Sequence, residues 1–269
     1  MEIIGLIAGK SEYPILFAKA AKAKGIKVIA VGIEGETREE LKSFVDRLHW
    51  IKLGEFKELM DIFKGEGIKK AVMIGGITKS RIFKEPLKLD DEMKAVLNIA
   101  SDKKDETLLS LITSKLNSAG IELLDSTLFL EEYLPEEGVL TSVKPSSSEE
   151  EDIRFGFGIA KEIARLDIGL SIVVKDKAVI AVEGIEGTDE MIKRGGKLGG
   201  VGTTVIKVAR PNQDMRFDIP VVGPRTIRSM IKAKTKCLAI EAKRTLIIDR
   251  AETISQAERR GISIVAVKG

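Results

Sequence analysis

Between Arg210 and Pro224 the chain reads RPNQDMRFDIPVVGP. Asp214, Arg216 and Asp218 stand two apart, with Met215, Phe217 and Ile219 between them. In an extended chain successive side chains point to opposite faces. The spacing therefore predicts an acid–base–acid row on one face, over an apolar face available for burial. Two carboxylates beside a guanidinium can hold a divalent cation, activate water and orient a phosphate. Asp214 and Asp218 are the candidates for metal binding or water activation, and Arg216 for orienting a carboxylate or phosphate. The competing explanation is a charge ladder on a solvated sheet face, which contributes little.

Four other stretches carry chemical potential. In GLIAGKSEYP, residues 5–14, a strand runs into a glycine turn and a helix start. Gly9 and Lys10 can there line a ligand crevice or hold a phosphate on backbone N–H groups. Glu34, at the end of the next strand, sits where a dinucleotide domain binds a ribose, although the full G-x-G-x-x-G fingerprint is missing. Gly75 and Gly76 end another strand and are followed by Lys79 and Arg81, a pattern suited to phosphate. In VEGIEGTDEM, residues 182–191, Glu183, Glu186, Gly187 and Thr188 place several oxygen donors at one strand end. Oxygen-only ligands suit a hard cation such as magnesium, so Asp214, Glu183 and Glu186 form the expected metal set. The run RGGKLGGVGTT, residues 194–204, is dense in glycine and is expected to be a loop that cradles phosphate on its backbone, helped by Lys197. Lys144 and Gln213 complete the candidate substrate-binding residues. A lone histidine, His49, on an expected strand reads as structural, and a histidine-based zinc site or triad is not the expected chemistry. Cys237 lies in an apolar run and reads as core. What remains is a vocabulary of carboxylates, lysines, arginines and glycine loops, which fits metal-assisted phosphoryl chemistry better than acyl transfer.

The composition sets the frame for these residues. The 269 residues are 43% hydrophobic and 32% charged, enough for more than one core under a highly charged surface. Forty-four basic residues nearly balance 41 acidic ones, so the net charge of +3 leaves no broad footprint for nucleic acid. The single cysteine excludes an internal disulfide framework and suits a reducing cytosol. The first residues, MEIIGLIAGK, lack a basic leader and read as a strand. No run of about 18 apolar residues is present to span a bilayer.

The elements that must position the candidates alternate strand and helix. Strands are expected at 3–8, 28–33, 49–53, 71–74 and 121–124, with helices at 14–24, 56–64, 89–97 and 106–119. That order implies an open parallel α/β sheet with right-handed crossovers. A composition shift near 130–140 marks a boundary, with 133–150 as linker, and the serines and acids of 146–152 also resemble a helix start. The remainder predicts a helix at 152–165 and a hairpin of strands 170–175 and 178–183 about Asp176-Lys177. Beyond it come a helix at 189–194, a strand at 204–209, a helix at 226–233, strands at 237–241 and 245–249, a helix at 251–260 and a final strand at 262–267. The expected architecture is a Rossmann-like parallel sheet over 1–132 and a mixed α/β catalytic domain over 151–269.

Taken together, the segments IGLIAGKSEYP (4–14), IGG (74–76), VEGIEGTD (182–189) and PNQDMRFDIP (211–220) resemble, in the same order, the LpxI-type UDP-2,3-diacylglucosamine pyrophosphatases. The similarity spans nearly the whole chain. E-G-x-E-G-T-D and Q-D-x-R-x-D-x-P are its specific elements. The resemblance implies a cytoplasmic, magnesium-using homodimer of lipid A biosynthesis with two domains and ligand held between them. It implies hydrolysis of a lipid-linked UDP-sugar to UMP and 2,3-diacylglucosamine 1-phosphate, with a peripheral inner-membrane contact for the lipid substrate. It also places a catalytic aspartate within 213–220, and Asp214, which follows Gln213, is the preferred match. The family's first turn carries a second glycine where this chain has Ser11, and its paired acids before a leucine-rich helix appear as Asp105-Glu106. The runner-up function is a nicotinamide-dependent oxidoreductase with Glu34 on the ribose. A third is a non-catalytic nucleotide-sugar or lipid binder.

Overall fold

The computed structural model describes residues 2–78, 88–100, 105–217 and 219–269, with the side chains of residues 105 and 106 excepted. The chain divides into two compact units: 1–131 with 214–218, and 132–213 with 219–269.

In the first unit, strands β1 (Ile3–Ala8), β2 (Lys27–Ile33), β3 (Arg47–Ile51), β4 (Lys70–Ile74) and β5 (Glu122–Leu123) form one parallel sheet in the order β3-β2-β1-β4-β5. β1, β2 and β4 are nearly continuous apolar runs, as strands buried on both faces require. Helices α1 (Tyr13–Ala23), α2 (Phe56–Gly65), α3 (Asp91–Ile99) and α4 (Asp105–Ser118) follow the strands. α2 shows why its sequence is helical and where it packs: Phe56, Leu59, Met60 and Phe63 recur at three- and four-residue spacing and are all buried. They join Ile68, Leu116, Ile121 and Leu123 in one apolar cluster. Phe217, from far along the chain, is part of the same cluster. The chain reverses its winding between β1 and β4, and in open α/β sheets the ligand crevice lies at the carboxyl ends of the strands flanking that reversal.

The second unit is a mixed six-stranded sheet. Its strands are β6 (Gly138–Val139), β7 (Ser171–Lys175), β8 (Ala178–Val182), β9 (Thr204–Lys207), β11 (Cys237–Glu241) and β13 (Ser263–Val267), in the order β6-β13-β11-β9-β7-β8. β10 (Val221–Val222) and β12 (Leu246–Ile247) form a separate parallel pair. Helices α5 (Ser147–Arg165), α6 (Thr188–Gly199), α7 (Pro224–Ala233) and α8 (Arg250–Glu258) complete the unit. Alternate strand residues feed two cores. Ile172, Val174, Ile206 and Cys237 pack with Ile153 and Ala160 of α5, while Val173, Val205, Leu238 and Ile264 pack with Ile192, Ile227 and Ala257 of the other helices.

Three expectations are revised. The 133–150 stretch is more than linker: β6 pairs antiparallel with β13, and α5 begins at Ser147 behind a capping box. There Ser146 Oγ accepts from the Glu149 N–H at 3.3 Å and Glu149 Oε2 accepts from the Ser146 N–H at 2.7 Å. The glycine run does not form a loop until residue 200; Gly195, Gly196 and Gly199 lie in α6. A Cβ on Gly195 would stand 2.5 Å from Val173 Cγ2, and one on Gly196 2.5 Å from the Ala233 carbonyl oxygen. Those glycines let α6 lie against β7 and α7, and they do not make a phosphate nest. Finally, residues 214–217 are a turn and not an extended strand, and they belong to the first unit and not to the carboxyl-terminal domain.

Candidate active site

Gly9-Lys10 and Gly75-Gly76 meet at the carboxyl ends of β1 and β4, on the two sides of the winding reversal. The Gly9 N–H donates to the Ile74 carbonyl at 2.8 Å and the Lys10 N–H to the Gly76 carbonyl at 2.7 Å. These glycines allow one backbone to lie on another. A Cβ on Gly9 would stand 2.5 Å from both the Gly75 and Gly76 oxygens, whereas a Cβ on Gly76 meets nothing within 4 Å. Gly9→Ala should therefore destabilise the first unit by roughly 1–3 kcal/mol through overpacking, and Gly76→Ala should not. Equal melting temperatures for the two variants would contradict this account. Around the same edge, Lys10 Nζ reaches Thr78 Oγ1 at 3.1 Å, and Thr78 donates its N–H and hydroxyl to Glu36 Oε2 at 3.1 and 2.9 Å. Ser11 has φ of 104°, a region glycine enters without steric cost. Its hydroxyl offsets part of that strain by accepting from the Tyr13 N–H at 3.2 Å. Lys79 lies outside the described residues.

The turn at 214–217 is fastened to this edge by residues that single-sequence reading missed. Tyr13 OH donates to the Ser126 carbonyl at 2.6 Å. Ser126 in turn donates its N–H and its hydroxyl to the Met215 carbonyl at 2.8 and 2.7 Å. Phe217 anchors the other side of the turn in the α2 core, where it is 4% exposed. Within the turn, Asp214 Oδ1 accepts from the Arg216 N–H at 3.0 Å, an aspartate bonding its own backbone two residues on. The same carboxylate takes the guanidinium in a fork: Nε to Oδ1 at 2.9 Å and Nη2 to Oδ2 at 2.6 Å. This pair holds the Asp214 carboxyl below the ordinary aspartate range. Nη1 of Arg216 makes no hydrogen bond among the described residues. Asp218 lies outside the described residues.

The second unit gathers the remaining candidates. Thr188, at the start of α6, donates its hydroxyl to Glu183 Oε1 at 2.8 Å and accepts from Lys207 Nζ at 2.8 Å. Lys207, at the end of β9 and 6% exposed, also donates to Ser171 Oγ at 3.4 Å. Sequence spacing could not reveal this lysine, because its partners lie 19 and 36 residues away. Gly187 turns the chain into α6 at φ of 84°. Glu186 is ion-paired with Arg194 at 2.5 Å. Gln213 closes a turn on Arg210, its Oε1 accepting from the Arg210 N–H at 3.3 Å. Lys144 is exposed ahead of α5, and Lys197 is exposed on α6. Burial pushes the Cys237 thiol up to about 12, which leaves it protonated and unreactive. His49 hydrogen-bonds Glu66 at 3.0 Å, a structural pairing.

A three-acid metal shell is not assembled among the described residues. Asp214 spends both oxygens on Arg216 and Glu186 is paired with Arg194. Glu183 differs, since its Oε2 is buried with no hydrogen-bond partner. An orphaned carboxylate oxygen fits magnesium, which takes one or two protein carboxylates and completes its octahedron with water and phosphate.

The model for the LpxI amino-terminal domain matches residues 3–133 and that for the LpxI carboxyl-terminal domain matches residues 136–265. The chain belongs to the LpxI family. A curated relative from Caulobacter vibrioides, the UDP-2,3-diacylglucosamine pyrophosphatase LpxI, is 27% identical over 278 residues, covering 99% of this chain and 98% of the relative. Solved structures give only a loose likeness. The biotin carboxylase subunit of pyruvate carboxylase aligns over 74% of this chain and 43% of its own, at 14% identity and a TM-score of 0.30. An N5-carboxyaminoimidazole synthetase from Staphylococcus aureus complexed with ADP aligns over 79% and 68%, at 11% identity and a TM-score of 0.26. Family membership and the two-part α/β architecture therefore rest on sequence models and on the sheets themselves.

Proposed function

We propose that this LpxI family member hydrolyses the pyrophosphate bond of UDP-2,3-diacylglucosamine, releasing UMP and 2,3-diacylglucosamine 1-phosphate, as a cytoplasmic homodimer of lipid A biosynthesis. The relative's activity and the family match across both halves support the reaction. The observation that carries the site is the Asp214–Arg216 fork, seated on the first unit by Phe217 and Ser126. In this reading Arg216 offers Nη1 to a phosphoryl oxygen, where negative charge grows as water attacks phosphorus and the bridging P–O bond breaks. Asp214 fixes the plane of that guanidinium. With both carboxylate oxygens engaged by that guanidinium, it serves in this reading as a positioning group. Gly9, Lys10, Gly75 and Gly76 line the crevice edge. Magnesium, when bound, would neutralise pyrophosphate charge, and Glu183 would be its protein ligand.

Incubation with UDP-2,3-diacylglucosamine and magnesium should release UMP, and no turnover with any divalent cation would sink the reading. EDTA should abolish activity and magnesium restore it; full turnover after exhaustive chelation would contradict the metal role. A dinucleotide site at Gly9 is disfavoured, because its N–H is already committed to Ile74. A non-catalytic binder would retain the UDP-sugar without releasing UMP.

A further inference from the structure

Glu183, Ser171 and Lys207 stand side by side on neighbouring strands of the second unit. Ser171 and Lys207 are register partners across β7 and β9. The Ser171 carbonyl accepts from the N–H of Glu183, one residue past the end of β8, at 2.9 Å. Alternate strand residues share a face, so all three lie on the face that carries Val173, Ala181 and Val205. Two other sheltered cations of this unit are neutralised by acids. Lys161 Nζ lies 2.9 Å from Glu241 Oε2, and Arg210 Nη2 lies 2.6 Å from Asp167 Oδ1. Lys207 is as well buried, yet it makes no ion pair among the described residues. Glu183 is only one hydroxyl away. Lys207 Nζ donates to Thr188 Oγ1, and that hydroxyl donates on to Glu183 Oε1, each at 2.8 Å.

Pairing with an opposite charge is how a buried ion ordinarily relieves its lost hydration. Thr188 withholds that relief. It is the first residue of α6, so the helix fixes where its hydroxyl stands. The hydroxyl does not cap the helix; the N-cap is Gly187, and the described bonds of Thr188 Oγ1 go to the two charges on either side of it. The carboxylate is left with Oε1 on Thr188 and with Oε2 buried and without a hydrogen-bond partner. A lysine that reached Glu183 directly would neutralise it and take its lone pairs from any cation. A helix start needs no such spacer, and a merely structural lysine at this depth would be paired, as Lys161 is.

We propose that Thr188 is a positioning residue, a hydroxyl spacer that keeps Lys207 from closing on Glu183 and so leaves Glu183 Oε2 to a divalent cation. The inference rests on the reading of Glu183 as the metal ligand. The test is titration of the full chain with manganous ion alone, followed by electron paramagnetic resonance. Thr188→Ala should weaken binding on the order of 10-fold, the scale for a group that orients a metal ligand. Thr188→Ser, which keeps the hydroxyl, should bind as wild type does. Lys207→Met added to Thr188→Ala should return binding to within about threefold of wild type, because the ammonium that closes the site is gone. Lys207→Met alone should not weaken binding, and this variant carries the test if Thr188→Ala fails to fold by circular dichroism. The magnesium concentration that half-saturates UMP release should move in the same order. Unchanged binding in Glu183→Gln, or none in wild type, overturns the reading of Glu183 and the inference with it. Loss in Glu183→Gln with wild-type binding in Thr188→Ala overturns the inference alone. So does a double variant that binds no better than Thr188→Ala, or a 10-fold loss in Lys207→Met alone.

Discussion

Replacing Asp214 with alanine is expected to lower turnover by about 100-fold or more while substrate affinity changes little. The carboxylate holds Nε and Nη2 of Arg216, so removing it releases the guanidinium that the proposed reaction needs fixed before charge develops. Loss of one preorganised donor costs on the order of 100- to 1,000-fold in turnover. The fold should survive, because Phe217 and the Ser126 bonds still seat the turn; the lost backbone bond costs about 1 kcal/mol. Asp214→Asn keeps the acceptor for the Arg216 N–H and loses the charge, so it should fall between wild type and alanine. The pH profile separates positioning from proton transfer. A depressed carboxylate pKa means the ion pair is intact above the ordinary aspartate range and is lost only as pH falls through the lower folded value. Any limb of the wild-type profile above about pH 5 must then persist in Asp214→Asn. Its disappearance would make Asp214 the base. Near-normal turnover in Asp214→Ala, with a large loss in Asp218→Ala, would move the catalytic role to Asp218.

The largest effect on stability is expected at Phe217. Truncation to alanine removes a buried ring from the cluster beneath the first sheet, at about 3–5 kcal/mol. It also frees the turn that carries Arg216, so turnover should fall together with the unfolding midpoint. Phe217→Leu retains most of the volume and should cost less than about 1.5 kcal/mol. Parallel urea titrations decide the matter: if the alanine variant unfolds within about 1 kcal/mol of wild type, the ring does not plug that core.

What could be read from the residues depended on whether the deciding contacts were local. The alternation of 2 and 3.6 periods placed most strands and helices of both units in order, without the two-residue strands β6 and β10, and Asp176-Lys177 proved a tight hairpin turn with φ of 49° and 58°. Asp214–Ile219 mimicked a strand because acids and bases alternate with apolar residues over a short run. The aspartate's bond to its own backbone two residues on outweighed that alternation, and only Phe217 of the apolar set is seated in the first core. The glycines of α6 looked like a loop because their purpose, close approach to β7 and Ala233, lies in tertiary packing. Ser126 and Lys207 carried no signal at all, since their roles come from partners that are distant in sequence.

The placement of residues 214–218 in the first unit also governs the order in which the chain can fold during synthesis. The backbone passes from one unit to the other at 131–132, 213–214 and 218–219. A nascent chain that has emerged only as far as residue 131 possesses every strand of the first sheet yet lacks the ring that fills its underside. Domains normally complete themselves in sequence as they leave the ribosome. Here the first must wait until most of the second has been translated, and a gene fragment cut at the family boundary near residue 135 would encode a sheet with a permanent vacancy. A fragment that appends residues 211–220 through a short flexible linker should restore the missing plug, and with it the turn that carries Arg216.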